Sequence, residues 1–304
     1  IGFLTGVYGV MVGAGGGFIL VPILVLFWGI GPSTAAGTSL ALVAINSWSG
    51  SYGYRKIKLI DYRSGFLFAI AAIPGSVFAP ILLGYVDSGA FKALFGLLLL
   101  LLCFQIAFRT LSESSKRNNK GIYRKDDHSP LSQKIHPSWM LFKITHRNIF
   151  TQSGTEYSYQ FNEYLAILFN LVLGFISSFF GTGGGFIRTP ILVSVFNFPV
   201  QVAVATSIFA LSIYAFVGAV THGVMGNIDV SLLIWAGLGL VAGGQVGVKV
   251  VSRISGVWIL RLLLMKDFPM LGRPKNLLLQ SHYNTKSKSL YGDVVNLRIQ
   301  ILIR

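Results

Sequence analysis

Two ten-residue stretches hold residues of unusual type at matched spacing: GAGGGFILVP at 13–22 and GTGGGFIRTP at 181–190. Each sets three adjacent glycines inside a long apolar run, Gly15, Gly16 and Gly17 in the first and Gly183, Gly184 and Gly185 in the second. Glycine costs roughly 1 kcal/mol relative to alanine in an exposed helix interior, so three in a row predict an interruption. Where a helix restarts after a break, its first amides are unpaired and carry partial positive charge, which suits an anion. The neighbouring sequence adds Thr38 and Ser39, Thr206 and Ser207, Asn46 in mid-helix, and Arg188, which stands where the first stretch has Leu20. Hydroxyl donors and a guanidinium match the oxygens of a small oxyanion, and arginine can hold one through two parallel hydrogen bonds. Each group also has a plainer use. Glycines let membrane helices approach, hydroxyls bond their own backbone, Asn46 can bridge two helices, and Arg188 can snorkel to an interface.

The elements that must position these groups are membrane helices. Of 304 residues 53% are hydrophobic and only 12% charged, against roughly 25% charged in soluble domains, and the mean hydropathy is +0.66. Apolar runs at 35–54, 65–85, 91–108, 164–180, 200–220 and 230–251 each approach the roughly 20 residues that cross a bilayer as helix. The many runs after the first argue against a cleaved secretory signal, and Ile1 in place of methionine suggests that the sequence begins inside a longer product. Most of the basic residues behind the net charge of +15 fall in loops and the tail, where the positive-inside bias puts them, so nucleic acid is not an expected partner. With Cys103 as the single cysteine, no intrachain disulfide or thiolate cluster forms. Histidines at 128, 136, 146, 222 and 282 make no i, i+4 pair, and neither a metal site nor a cofactor is expected. Nothing pairs a nucleophile with a base, and no GxxxxGK[ST] occurs, which argues against an enzyme and against ATP-driven pumping.

Sliding the sequence on itself by 168 residues brings Gly13 onto Gly181, Pro22 onto Pro190, Thr38-Ser39 onto Thr206-Ser207, Gly50 onto Gly218, Asp61 onto Asp229 and Gly75 onto Gly243, without a gap. Chance likeness between apolar helices would match leucines and valines, not a series of Gly, Pro, Thr, Ser and Asp. This implies a duplicated membrane unit. The organisation expected is a first transmembrane repeat at 1–108, a polar linker at 109–162 with a β-hairpin over 148–161, a second repeat at 163–263 lacking its last helix, and a polar basic tail at 264–304. Asp61 and Asp229 open corresponding helices, where a carboxylate serves as an N-cap in preference to a proton relay. His222 reads as structural. No acidic residue lies deep in an apolar run, so the coupling mechanism stays open.

Length then fixes the break. Residues 163–197 would make one helix of about 52 Å at 1.5 Å per residue, against a hydrocarbon core of about 30 Å, so the segment must tilt, break or turn back, and Gly181 to Gly185 is the place. Broken backbone persists in a membrane only where protein or a water-filled cavity surrounds it. The basic loop RKIKLIDYR and the linker should both face the cytoplasm. Segments that cross fully would make the repeats parallel, whereas re-entrant segments would make them inverted and would bring Lys249 and Arg253 to the cytoplasmic side as well. The second arrangement is favoured.

The repeated GxGGGFIxxPxL, the following ATSI-like segment, the Ile-Asp pair and a linker ending in T-x-x-G-x-x-Y-x-Y-x-F together resemble the sulfite exporter TauE/SafE family over residues 2–263. The resemblance implies a multi-pass permease of the cell membrane that exports sulfite, sulfoacetate or related organosulfur anions. The expected fold is thus an all-α integral membrane protein of two helical repeats with broken or re-entrant Gly-rich helices. The expected function is secondary transport of small sulfur-containing anions, with a small anionic substrate and the lipid bilayer as partners and homo-oligomerisation left open. The rival reading is a channel-like protein or a degenerate, non-transporting partner subunit.

Overall fold

The computed structural model describes residues 1–101, 144–150 and 156–253. The end of the second repeat at 254–263, where a last helix is expected to be lacking, and the tail at 264–304 lie outside the described residues. The first half comprises α1 (Gly2–Val12), α2 (Gly17–Leu26), α3 (Pro32–Lys56), α4 (Tyr62–Leu83) and α5 (Ser88–Leu101). Strands β1 (Ile144–Phe150) and β2 (Glu156–Asn162) pair antiparallel, with Arg147 opposite Tyr159. There follow α6 (Glu163–Phe180), α7 (Gly185–Ser194), α8 (Val200–Val224) and α9 (Val230–Val251). The hairpin expected over 148–161 is therefore present, with its first strand beginning four residues earlier, at Ile144.

Local chemistry explains the boundaries. Both α1 and α6 end on glycines in the left-handed region, Gly13 at φ 80° and Gly181 at φ 66°, a conformation that glycine adopts at least cost. Pro32 opens α3 at a position where its missing N–H is not needed. The carboxylates of Asp61 and Asp229 accept from the amides of Ser64 (3.2 Å) and Leu232 (3.0 Å) and so cap α4 and α9. Asn162, the last residue of β2, caps α6 through the Leu165 amide.

Small residues set how the helices meet. A Cβ on Gly2 or Gly6 would strike the backbone of α9 at Ala236 or Leu240, and one on Gly174 would strike Ala72 of α4. Thus α1 packs closely and parallel on α9, and α6 on α4. Helices α3 and α8 run antiparallel: Gly50 faces Ile208, Trp48 Nε1 donates to the Ser212 carbonyl at 2.8 Å, and Gly218 faces Leu40. Helix α3 lies parallel to α9, with Gly53 against Val248 and Gly237 against Leu42, and α4 lies parallel to α8, with Gly65 against Phe209 and Ser76 beside Gly218. So α1, α3 and α9 point one way and α4, α6 and α8 the other.

Among the described residues four helices, α4, α6, α8 and α9, are long and apolar enough to cross a membrane. At 25 residues α3 is as long as α8 but more polar, although its sequence had read as one of the spanning runs. Burial accounts for the difference, because Thr38, Ser39, Asn46 and Ser47 are wholly enclosed by neighbouring helices and do not meet lipid. Lipid-facing side chains such as Ile70, Phe78, Trp235 and Leu238 lie instead on the outer helices α4 and α9.

Candidate functional site

The chain breaks after Val12 and after Phe180, and helix resumes at Gly17 and Gly185. The two interruptions pack directly on each other. A Cβ on Gly185 would overlap the Gly13 carbonyl, and one on Gly17 would stand 2.6 Å from the Gly181 carbonyl oxygen. Val43 of α3 sits between them, its methyl groups within 2.7 Å of where a Cβ on Gly15 or Gly183 would be. The amides of Ile187 and Arg188 already bond the Gly184 carbonyl, at 3.2 and 3.0 Å. The start of α7, including the Phe186 amide, is thus left outside the helical ladder, as at any helix N-terminus.

The hydroxyl pairs proposed for an anion are engaged with backbone. Thr206 Oγ1 accepts from the Asp61 amide (3.1 Å), and Thr38 Oγ1 accepts from the Asp229 amide (2.8 Å), so each staples a helix start to the opposite half of the chain. Ser207 Oγ donates to the Gly13 carbonyl (3.0 Å) and Ser39 Oγ to the Gly17 carbonyl (3.4 Å), which supports the breaks from within. Asn46 Nδ2 donates to the Gly15 carbonyl at 2.9 Å, and Tyr214, 168 residues on, donates its hydroxyl to the Gly183 carbonyl at 2.5 Å. Tyr54 and His222 form a second such pair, bonding the carbonyls of Val10 (3.0 Å) and Ser178 (3.1 Å).

Arg188 differs from all of these. Its side chain is 0% exposed and enclosed by protein, not extended to an interface. Among the described residues none of its three guanidinium nitrogens makes a hydrogen bond of normal geometry, and the polar neighbour it has is Tyr214, whose ring lies 4.7 Å from its Cζ. That contact stabilises a cation by about 2 kcal/mol when desolvated, less than the several kcal/mol that burying an ion costs. The ion pair found among the described residues, Arg147 Nε with Asp61 Oδ2 at 3.9 Å, involves other groups. Buried hydroxyls of Ser177, Thr182 and Thr189 are likewise without partners. Ser177 and Tyr214 both flank Gly184, while Thr189 lies against Gly13. Sequence reasoning found Arg188 and the glycines but not Tyr214, Ser177, Thr182 or Thr189. The repeat register did hold a signal, since Tyr214 falls opposite Asn46.

The hairpin closes the adjoining end of the helices. Tyr159 donates to Asp61 Oδ2 (2.7 Å), Ser64 Oγ donates to the same oxygen (2.5 Å), and Tyr157 donates to Gln201 Oε1 (2.9 Å). Burial raises the Tyr159 hydroxyl above the ordinary tyrosine value, and the Asp61 carboxylate adds to the rise.

A buried arginine on a short helix that follows a break, with no carboxylate in ion-pair contact among the described residues, is a transporter-like arrangement. The model of the family described as "Sulfite exporter TauE/SafE" matches residues 1–265. The chain belongs to the TauE/SafE family. It is similar to the probable membrane transporter protein YunE of Bacillus subtilis (strain 168), 28% identical over 277 residues that cover 87% of this chain and 92% of that protein. It is also similar to the probable membrane transporter protein MJ0441 of Methanocaldococcus jannaschii, 27% identical over 287 residues covering 90% and 91%. No solved structure matches. As a TauE/SafE protein it is a membrane transporter, and the breaks and Arg188 lie within the matched residues.

Proposed function

We propose that this TauE/SafE protein is a secondary transporter of small sulfur-containing anions such as sulfite or organosulfonates, and that the anion is held at the second break by Arg188. The observation that carries the reading is the wholly buried guanidinium that, among the described residues, makes no hydrogen bond of normal geometry. A bound oxyanion would neutralise it and accept two parallel hydrogen bonds. The hydroxyls of Ser177 and Thr182 and the Phe186 amide at the start of α7 would complete the shell. Gly184, between Ser177 and Tyr214, keeps a side chain out of this space, while Gly183 and Gly185 with Gly15, Gly16 and Gly17 let the two breaks close on each other and support it. In this reading Thr38, Thr206, Ser39 and Ser207 hold the breaks in place. The test is uptake of sulfite and of a sulfonate into vesicles containing the purified protein. Saturable uptake is expected, with affinity lowered about 10- to 100-fold in Arg188→Leu, since hydrogen bonds to charged groups contribute about 1.5–3 kcal/mol. Unchanged affinity in a folded Arg188→Leu protein would overturn the assignment.

The two halves are, in the same reading, copies of one unit with opposite orientation. Supporting this are the helix bounds, which recur at an offset of 168 residues for α2 and α7, α3 and α8, and α4 and α9, and the antiparallel crossing of α3 on α8. Two corresponding helices that cross antiparallel are related by an axis perpendicular to them, which lies in the membrane plane. Because α1 and α3 point the same way, α2 turns back between them, and each Gly-rich motif is re-entrant. The loop at 55–63, the hairpin and the C-terminus of α9 with Lys249 then share one end, which is cytoplasmic by its charge. A tag at Gly226, in an open turn at the other end of α8, is expected outside. A cytoplasmic tag would remove the inverted arrangement.

A further inference from the structure

Three residues of α3, Ser47, Ser51 and Arg55, stand at i, i+4 and i+8 and so form one row along the helix. The row covers about 12 Å at 1.5 Å per residue, and Val43, the residue between the two breaks, lies one turn further along it. Ser47 is 0% exposed, and its Oγ lies 3.2 Å from where a Cβ on Gly15 would stand. At the other end of the row Ser51 and Arg55 line an open cavity of about 520 Å³ with Tyr52, Ile60, Tyr62 and Phe209.

The hydroxyls of Ser47 and Ser51 are buried and have no hydrogen-bond partner among the described residues. This is not the ordinary behaviour of hydroxyls in these helices. Ser194, Thr221 and Ser76 return theirs to the carbonyl three or four residues back, at 2.7, 3.0 and 2.8 Å. An unsatisfied buried hydroxyl costs about 1–3 kcal/mol, and two in one row, ending at a cavity, point to water or ligand as the missing partner. The corresponding row on α8 is Ala215, Ala219 and Gly223, which offers no side-chain hydrogen bond and no charge. None of the cavity-lining residues is acidic, and Arg55 is followed by Lys56 and Lys58.

We infer that the Ser47–Ser51–Arg55 row is a hydrated anion passage leading from the hairpin end of the molecule to the first break. Arg55 collects anions at the mouth, Ser51 and Ser47 replace part of their hydration shell, and the row ends beside Gly15, where the first break packs on the second. The passage is one-sided, because the matching row on α8 is apolar. The inference rests on the anion-transport reading for its cargo but not for its existence as a water-filled path.

The test uses thiol accessibility of the full chain in membrane vesicles, in a Cys103→Ser background. Ser51→Cys and Ser47→Cys are compared with Ala219→Cys and Ala215→Cys, using a membrane-impermeant sulfonate-bearing methanethiosulfonate and a trimethylammonium one. Both serine-derived variants are expected to react at least 10-fold faster than the alanine-derived ones, and only with reagent applied at the hairpin face. Adding Arg55→Gln should slow the sulfonate reagent several-fold at position 51 without slowing the cationic one. Equal rates in the two rows, reaction from the opposite face only, or reaction in detergent that disappears in the bilayer because lipid fills the cavity, would each overturn the passage. Labelling does not require turnover. A protein that labels as expected but transports no anion therefore refutes the function, and one that transports but does not label refutes the passage.

Discussion

The first and second breaks have the same backbone and different side chains. Both put glycines at positive φ, Gly15 and Gly16 at 73° and 96°, Gly183 and Gly184 at 85° and 62°. Both are held by a donor from the central helix, Asn46 or Tyr214. Yet Gly9, Ala14, Leu20 and Val21 of the first correspond to Ser177, Thr182, Arg188 and Thr189 of the second. What is common holds the helices apart and together, and what differs is polar, buried and unpaired. The comparison separates a shared backbone scaffold from the side chains set on it, which are apolar or absent at the first break and polar at the second.

The comparison breaks most severely at its shared scaffold. Alanine at Gly185 would push its Cβ into the Gly13 carbonyl, and with overpacking costing typically 1–3 kcal/mol or more the variant should fail to give a monodisperse protein. Gly226→Ala meets open space at φ 74°, costs about 1–2 kcal/mol for the left-handed backbone, and should still fold. Size-exclusion profiles of the two would show which holds. Next comes the difference between the breaks. Against the 10- to 100-fold loss expected for Arg188→Leu, Leu20→Met, a volume-conserving change at a buried apolar site, should leave transport affinity within about twofold. An equal loss in both would mean that the breaks share the substrate.

A smaller effect tests the equivalence of the two staples. Thr206→Val and Thr38→Val each remove the acceptor for an aspartate amide, and each should lower thermal stability by a similar amount, about 1–3 kcal/mol. A large inequality would show that the halves are not equivalent in load. The smallest effect concerns the hairpin, which has no counterpart among the described residues of the first half. Because the Tyr159 hydroxyl is raised in the folded protein, its contribution is complete below the ordinary value of about 10 and is lost as pH rises past it. Protease cleavage at the hairpin should therefore increase above about pH 10. Tyr159→Phe should flatten that rise.

Several features were legible in the residues. The glycine triplets placed both breaks, Asp61 and Asp229 announced themselves as caps, and the alternation around Ser153-Gly154 announced the hairpin, because each is decided within a few residues by backbone freedom, side-chain reach or period. Arg188 stood out by its lack of a counterpart. Less legible was the use of the hydroxyls, where a Thr-Ser pair has one appearance whether it faces a ligand or another helix. The enclosure of α3 was equally hidden, since its setting among other helices lies outside its own sequence.

By itself the sequence determined that the chain has membrane-spanning helices, where two of its segments break, and that one break carries an arginine, since hydropathy, glycine content and charge belong to the residues wherever they are put. Only the tertiary structure decided that the breaks meet, that α3 and α8 cross antiparallel, that Thr38 and Thr206 serve the opposite half, and that Arg188 lies over Tyr214 with no hydrogen bond of normal geometry among the described residues. Contacts between residues far apart in the chain depend on close packing of many surfaces at once, and no short stretch contains that information.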